Sequence, residues 1–155
     1  MCIYFNKFIK IMKKFLLLLV CAATAFSVSA APQKVDFGKL PKSSQEFIQK
    51  NFPKEKVKDV EMDREASWDK YTVFFNSGNQ ISFEGGSGNW SEIIMKNGPV
   101  PATAIPVKIK TYAGAKYPNL HIMMLATTAD GYKAKLSDGT FLYFDSNGDF
   151  VKAEK

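Results

Sequence analysis

The chain has 155 residues, with 21 Lys and Arg against 15 Asp and Glu, for a formal net charge of +6. Four lysines (Lys7, Lys10, Lys13, Lys14) and no acid lie in the first thirty residues, so the remainder carries only +2 and gives no argument for nucleic acid as a partner. Both cysteines, Cys2 and Cys21, lie there too, which leaves the rest without disulfide, thiolate nucleophile or Cys-ligated zinc.

Residues 12–30 read as a secretory signal. Lys13 and Lys14 form its basic start, residues 15–25 its apolar core, and Val28, Ser29 and Ala30 a small-residue cleavage site. Met12 fits the start of such a signal better than Met1. Cys21 follows Val20, where a lipoprotein signal would carry a small residue. The run is too short for a comfortable membrane span, so a periplasmic or secreted protein without membrane attachment is expected after cleavage. Residues 31–155 are enough for one domain held by its core alone.

Residues 31–39 show no period and read as a lead-in. A helix is expected from Pro41 to Pro53, with Ser43 or Ser44 as its cap and Leu40, Phe47, Ile48 and Phe52 on one stripe. Four strands are expected next, over 57–62, 68–75, 79–83 and 90–96. The Gly85, Gly86, Ser87, Gly88 stretch reads as a flexible turn. After Asn97, Gly98 and Pro99 the order restarts: a helix from Pro106 to Pro118 with Ile105, Ile109, Tyr112 and Ala113 on one face, then strands over 121–128, 131–136, 141–144 and 150–153. Spacing supports a repeat, because Gly78 and Gly139 each follow an aromatic (Tyr71, Tyr132) by seven residues and precede a Phe (Phe83, Phe144) by five. The expected fold class is therefore α+β, in two tandem repeats of a helix plus a four-stranded antiparallel sheet, 40–97 and 98–155.

Hairpin register follows from the apolar pattern. A three-residue loop with Gly139 in the left-handed position pairs Ala134 with Leu142 and gathers Tyr132, Ala134, Leu136, Leu142 and Phe144 on one face. Around Gly78 the same logic gathers Tyr71, Val73, Phe75, Ile81 and Phe83. The opposite face then carries Lys133, Lys135, Phe141 and Tyr143 in one hairpin and Trp68, Lys70, Thr72, Phe74 and Ser82 in the other. Aromatics interleaved with lysines suit a binding surface, although single exposed aromatics are also ordinary in antiparallel sheets.

The pattern of helix, Pro, YTVFF..G..ISF and YKAKLSDGTFLYFDSNGDF resembles the PepSY-like family of small exported bacterial proteins, which are similar in fold to beta-lactamase inhibitor protein. The resemblance spans residues 40–155. It implies a two-repeat α+β fold whose sheet has helices on one side and a concave open face on the other. It implies no established activity, and no inhibitory residue carries over.

Catalytic constellations are absent from the pattern. His121, the single histidine, lies in an apolar strand beside Ile122, Met123 and Met124, and no carboxylate pair has acid-base spacing. Asp145, Asn147 and Asp149 alternate like the start of a calcium loop, but Phe150 stands where that loop needs Gly, so a hairpin turn is favoured. His121 with Met123 and Met124 is read as core packing ahead of copper binding.

The reading is a non-enzymatic binding module, without cofactor or metal, holding a protein or peptide through Trp68, Phe74, Lys133, Lys135, Phe141 and Tyr143. Hydrolase inhibition is one form of it, with the loop from Gly85 to Trp90 as a candidate for insertion. The competing reading is a small-ligand or metal-binding carrier of the envelope, and a third is a structural envelope protein.

Overall fold

The computed structural model describes residues 31–64 and 68–155. The expected signal segment, the start at Met12 and the Cys21 question lie outside the described residues. The elements run β1 (Gln33–Lys34), a single 3-10 turn (Phe37–Lys39), α1 (Lys42–Asn51), β2 (Val57–Arg64), β3 (Asp69–Phe75), β4 (Gln80–Glu84) and β5 (Trp90–Ile94). Then follow α2 (Val107–Lys116), β6 (Ile122–Thr128), β7 (Gly131–Leu136), β8 (Phe141–Asp145) and β9 (Phe150–Glu154).

Sheet topology corrects the expected fold class. Among the described residues the strands form one nine-stranded antiparallel sheet in the order β1 to β9, carrying two ten-residue helices, not two units of a helix with its own four-stranded sheet. The reason lies at the junction, where β5 and β6 pair through Glu92 with Ala126, Ile93 with Leu125 and Ile94 with Met124. Two facing edges would each leave a row of unpaired N–H and C=O groups; joining them satisfies both. The supposed boundary at residues 97 and 98 thus falls inside one sheet. Residues 33 and 34, read as part of a lead-in, add the first strand by pairing with Met62 and Glu61.

Within the sheet the hairpin registers follow the apolar alternation. Ala134 pairs with Leu142 and Tyr132 with Phe144, while Val73 pairs with Ile81 and Tyr71 with Phe83. Gly78 and Gly139 take the left-handed conformation that closes these loops (φ +86° and +92°). One face consequently buries Val60, Val73, Phe75, Ile81, Phe83, Ile93, Leu125, Ala134, Leu136, Leu142 and Phe144.

Both helices pack on that face. From α1, Phe47 meets Phe83 edge-on with centroids 5.9 Å apart, and Phe52, just past its end, stacks on Phe75 at 6.0 Å. From α2, Tyr112 meets Phe144 edge-on at 5.7 Å and stacks on Phe150 at 4.4 Å. Trp90 and Tyr132, 6.3 Å apart, pack against the same core between the two helix contacts. Such offset and edge-on pairs are the favoured aromatic geometries.

Ser43 and Ser44 do not cap α1; Pro41 holds that position. Instead the fully buried Ser44 donates through Oγ to the Gly88 carbonyl at 2.8 Å, and Ser43 Oγ lies 3.4 Å from the Ser87 carbonyl. A Cβ on Gly88 (φ +69°) would stand 2.1 Å from Ser43 Oγ and 2.8 Å from Pro41 Cβ. The β4–β5 turn, expected to be flexible, is thus clamped beneath the start of α1.

Candidate functional site

Strand alternation sends every second side chain to the face away from the helices. Buried Ala134 and Leu136 set the parity on β7, so Lys133 and Lys135 point outward; buried Leu142 and Phe144 do the same on β8 for Phe141 and Tyr143. Register then places Lys133 opposite Tyr143 and Lys135 opposite Phe141. On β9, Lys152 lies opposite Tyr143 and Glu154 opposite Phe141.

These side chains form one cluster. The Lys133 ammonium sits 4.3 Å from the Phe141 centroid and 5.5 Å from that of Tyr143. Lys135 lies 5.4 Å from the Phe141 centroid and Lys152 4.7 Å from that of Tyr143. Each is within the reach of a cation–π attraction. Lys152 also donates to Glu154 Oε1, and this hydrogen bond, followed by one from Tyr143, holds the Glu154 carboxyl below the usual carboxylate range.

Of the six residues expected to form a binding surface, the structure brings Lys133, Lys135, Phe141 and Tyr143 together. Phe74 shares their face, but on β3, with four strands between it and Phe141. At about 4.8 Å per strand that is roughly 24 Å. Trp68 immediately precedes β3 and is 44% exposed. Lys152 belongs to the cluster but is absent from the expected set; its signal was a lysine in the strand following Tyr143, two residues after Phe150.

Between the halves of the face, Ile94 and Met124 are cross-strand partners. They line a groove with Met123, Lys135 and Asp138. Met123 and Met124 share this groove across a register shift in β6, whereas His121, exposed before the strand, lines a separate cleft with Pro99 and Leu120. The three therefore do not converge as a ligand set. Asp145 is committed to its turn: Oδ1 accepts the N–H groups of Asn147 (2.9 Å) and Asp149 (2.8 Å). The Asp149 carboxylate takes the Lys108 ammonium at 2.7 Å. Among the described residues, no group of three or more His, Asp or Glu side chains is placed to hold a metal ion, and no helix is long and apolar enough to cross a membrane.

The domain is thus an antiparallel sheet backed by two short helices on one face, with lysines and aromatics arrayed on the other. The chain belongs to the PepSY-like family, described as "Putative beta-lactamase-inhibitor-like, PepSY-like", whose model matches residues 27–68 and 69–152.

Solved structures agree. A "putative periplasmic protein from DUF2874 family" of Bacteroides vulgatus is 27% identical with a TM-score of 0.77, covering 82% of this chain and 99% of that one. A "putative calcium-regulated periplasmic protein" of Bacteroides thetaiotaomicron is 28% identical (TM-score 0.76; 80% and 97% covered). A "putative periplasmic protein of unknown function" of Bacteroides vulgatus is 30% identical (TM-score 0.74; 81% and 100% covered). No curated protein matches the chain.

Proposed function

We propose that this protein is a non-catalytic periplasmic binding module that holds a protein or peptide partner on the open sheet face. Lys133, Lys135, Phe141 and Tyr143 form the centre of contact, and Lys152 extends it. Phe74 and Trp68 engage only a partner broad enough to span the sheet. Inhibition of a hydrolase is the form of binding that the family's description suggests, and the periplasmic naming of the three similar structures supports the location.

The observation that carries this reading is the stacking of three ammonium groups on two rings of β8, a strand that buried Leu142 and Phe144 anchor to the core from behind. Aromatic side chains on a rigid element give large contact area at low ordering cost, which is how contact energy is concentrated in protein interfaces. The test is affinity capture from envelope fractions with the wild-type protein beside a Phe141→Ala, Tyr143→Ala variant. A partner retained by the wild type and lost by the variant is the expected result. Equal recovery by both removes this face from consideration.

A further inference from the structure

The open face is electrically divided. On β2 to β5 and just beyond it presents Asp59, Glu61, Asp63, Glu84 and Glu92, with Lys58, Lys70 and Lys96 among them and Lys34 of β1 bound to Asp59 at 2.9 Å. On β7 to β9 it presents Lys133, Lys135 and Lys152, with two carboxylates, Glu154 and, at the end of β8, Asp145, whose Oδ1 is taken by turn N–H groups. Glu154 is taken by Lys152, whereas neither Lys133 nor Lys135 forms an ion pair among the described residues.

Resting on the reading of this face as a binding surface, we infer the chemistry of its partner: a protein segment bearing carboxylates interspersed with apolar side chains. The carboxylates take the ammonium groups of Lys133 and Lys135. An apolar side chain of the segment lies along Phe141 and enters the groove of Ile94, Met123 and Met124 beside Lys135.

Three arguments converge on this. An ammonium stacked on a ring keeps N–H donors directed outward, since each lysine has three and the ring takes none of them as a conventional acceptor. Stacking on Phe141 also limits the rotamers of Lys133 and Lys135 before any partner arrives, so less side-chain freedom is lost on binding. Glu92 stands two strands from Lys133 in the same cross-strand row, through Ala126. A carboxylate-bearing segment displaced toward β5 meets like charge, which confines it to the β6–β9 half.

The test uses fluorescence anisotropy of a short labelled peptide alternating Glu and Phe, with the matching Lys and Phe peptide as its opposite. The acidic peptide is expected to bind, to weaken as salt is raised, and to weaken by about tenfold or more in a Lys133→Glu, Lys135→Glu variant. The basic peptide is expected not to bind this half. Equal binding of both peptides, or acidic-peptide binding that survives the charge reversal, overturns the inference. So does binding to phosphatidylglycerol vesicles without binding to the acidic peptide, which points to a lipid surface. Circular dichroism of the variant confirms that it is folded.

Partner capture separates this inference from the reading beneath it. Capture lost in the Phe141→Ala, Tyr143→Ala variant but intact after charge reversal leaves the binding face standing and overturns the acidic partner. Capture unchanged in both variants removes the face itself, and the acidic segment with it.

Discussion

Lys133 and Phe141 touch across the open face of the sheet, with ammonium and ring centroid 4.3 Å apart, although they sit diagonally in the register rather than opposite one another. Phe141 is half-buried, while its neighbour Leu142 is fully buried on the other face. Phe141→Ala is expected to cost about 1 kcal/mol, the worth of an exposed cation–π and cross-strand contact. Leu142→Ala is expected to cost about 3 kcal/mol or more through the cavity it leaves. Urea denaturation of both variants checks the contrast; equal losses would mean that Phe141 serves the fold and not the surface.

Asn79 is buried to 1% and fully engaged. Its Oδ1 accepts from the N–H groups of Lys96 (2.8 Å) and Asn97 (3.0 Å), and its Nδ2 donates to Glu55 Oε1 (2.7 Å) and the Asn97 carbonyl (3.2 Å). Asn79→Ala strands two backbone donors just beyond β5, with an expected cost of about 2–4 kcal/mol. A loss under about 0.5 kcal/mol in the same denaturation assay would show that solvent replaces the amide.

Two glycines should respond in opposite directions. Gly131 opens β7 at φ +147°, and a Cβ there would lie 2.2 Å from the Phe144 carbonyl oxygen. Gly131→Ala is therefore expected to destabilise by about 2 kcal/mol or more. Gly114 lies within α2 with nothing within 4 Å of an added Cβ, so Gly114→Ala should stabilise by about 0.5–1 kcal/mol. Thermal melts that move the same way for both would contradict this.

Acid should weaken the fold through Asp138 and Glu154. The Thr140 backbone N–H and then its hydroxyl donate to the Asp138 carboxylate (3.0 and 2.9 Å) and hold its pKa below the ordinary range. A carboxyl depressed in the folded state contributes stability that is complete above its unfolded pKa, about 4, and is lost as pH falls through the lower folded value. Glu154 adds in the same direction through its hydrogen bond from Lys152. The melting temperature should fall on acidification below about pH 4, and less so in Asp138→Asn. Superimposable profiles for variant and wild type would exclude Asp138 from the effect.

Calcium should leave the protein unchanged, even though one similar structure is named for it. Asp145 Oδ1 is spent on two turn N–H groups and Asp149 on Lys108. Because a ligand stabilises only by binding the folded state, millimolar calcium should shift the melting temperature by less than about 1 °C. A larger rise, abolished by Asp145→Asn, would establish a calcium site at this turn.

Much of the local structure was legible because it rests on neighbouring residues. The loops at Gly78 and Gly139 and the alternation around them set both registers, and with them the meeting of Lys133, Lys135, Phe141 and Tyr143. What failed was non-local. Joining β5 to β6 depends on edges 28 residues apart at Ile94 and Ile122, which no periodicity records. The same missing information left Phe74 grouped with residues four and five strands away. Ser44 looked like a cap because a hydroxyl at a helix start usually is one. Its acceptor, Gly88, lies 44 residues further along the chain. Gln33 and Lys34 were too few to show any period at all.

The strand order has a kinetic consequence. Each strand of β2 to β8 pairs with its immediate predecessor and successor in sequence, and β9 with its predecessor, so most of the sheet assembles by closing short loops, a topology that favours rapid folding. The step from β5 to β6 is the exception, since its loop encloses all of α2. It carries the largest closure entropy among the pairings from β2 onward, which makes it the natural late event of the folding reaction. Substitutions at Ile93 or Leu125 should then accelerate unfolding while leaving the rate of refolding nearly unaltered.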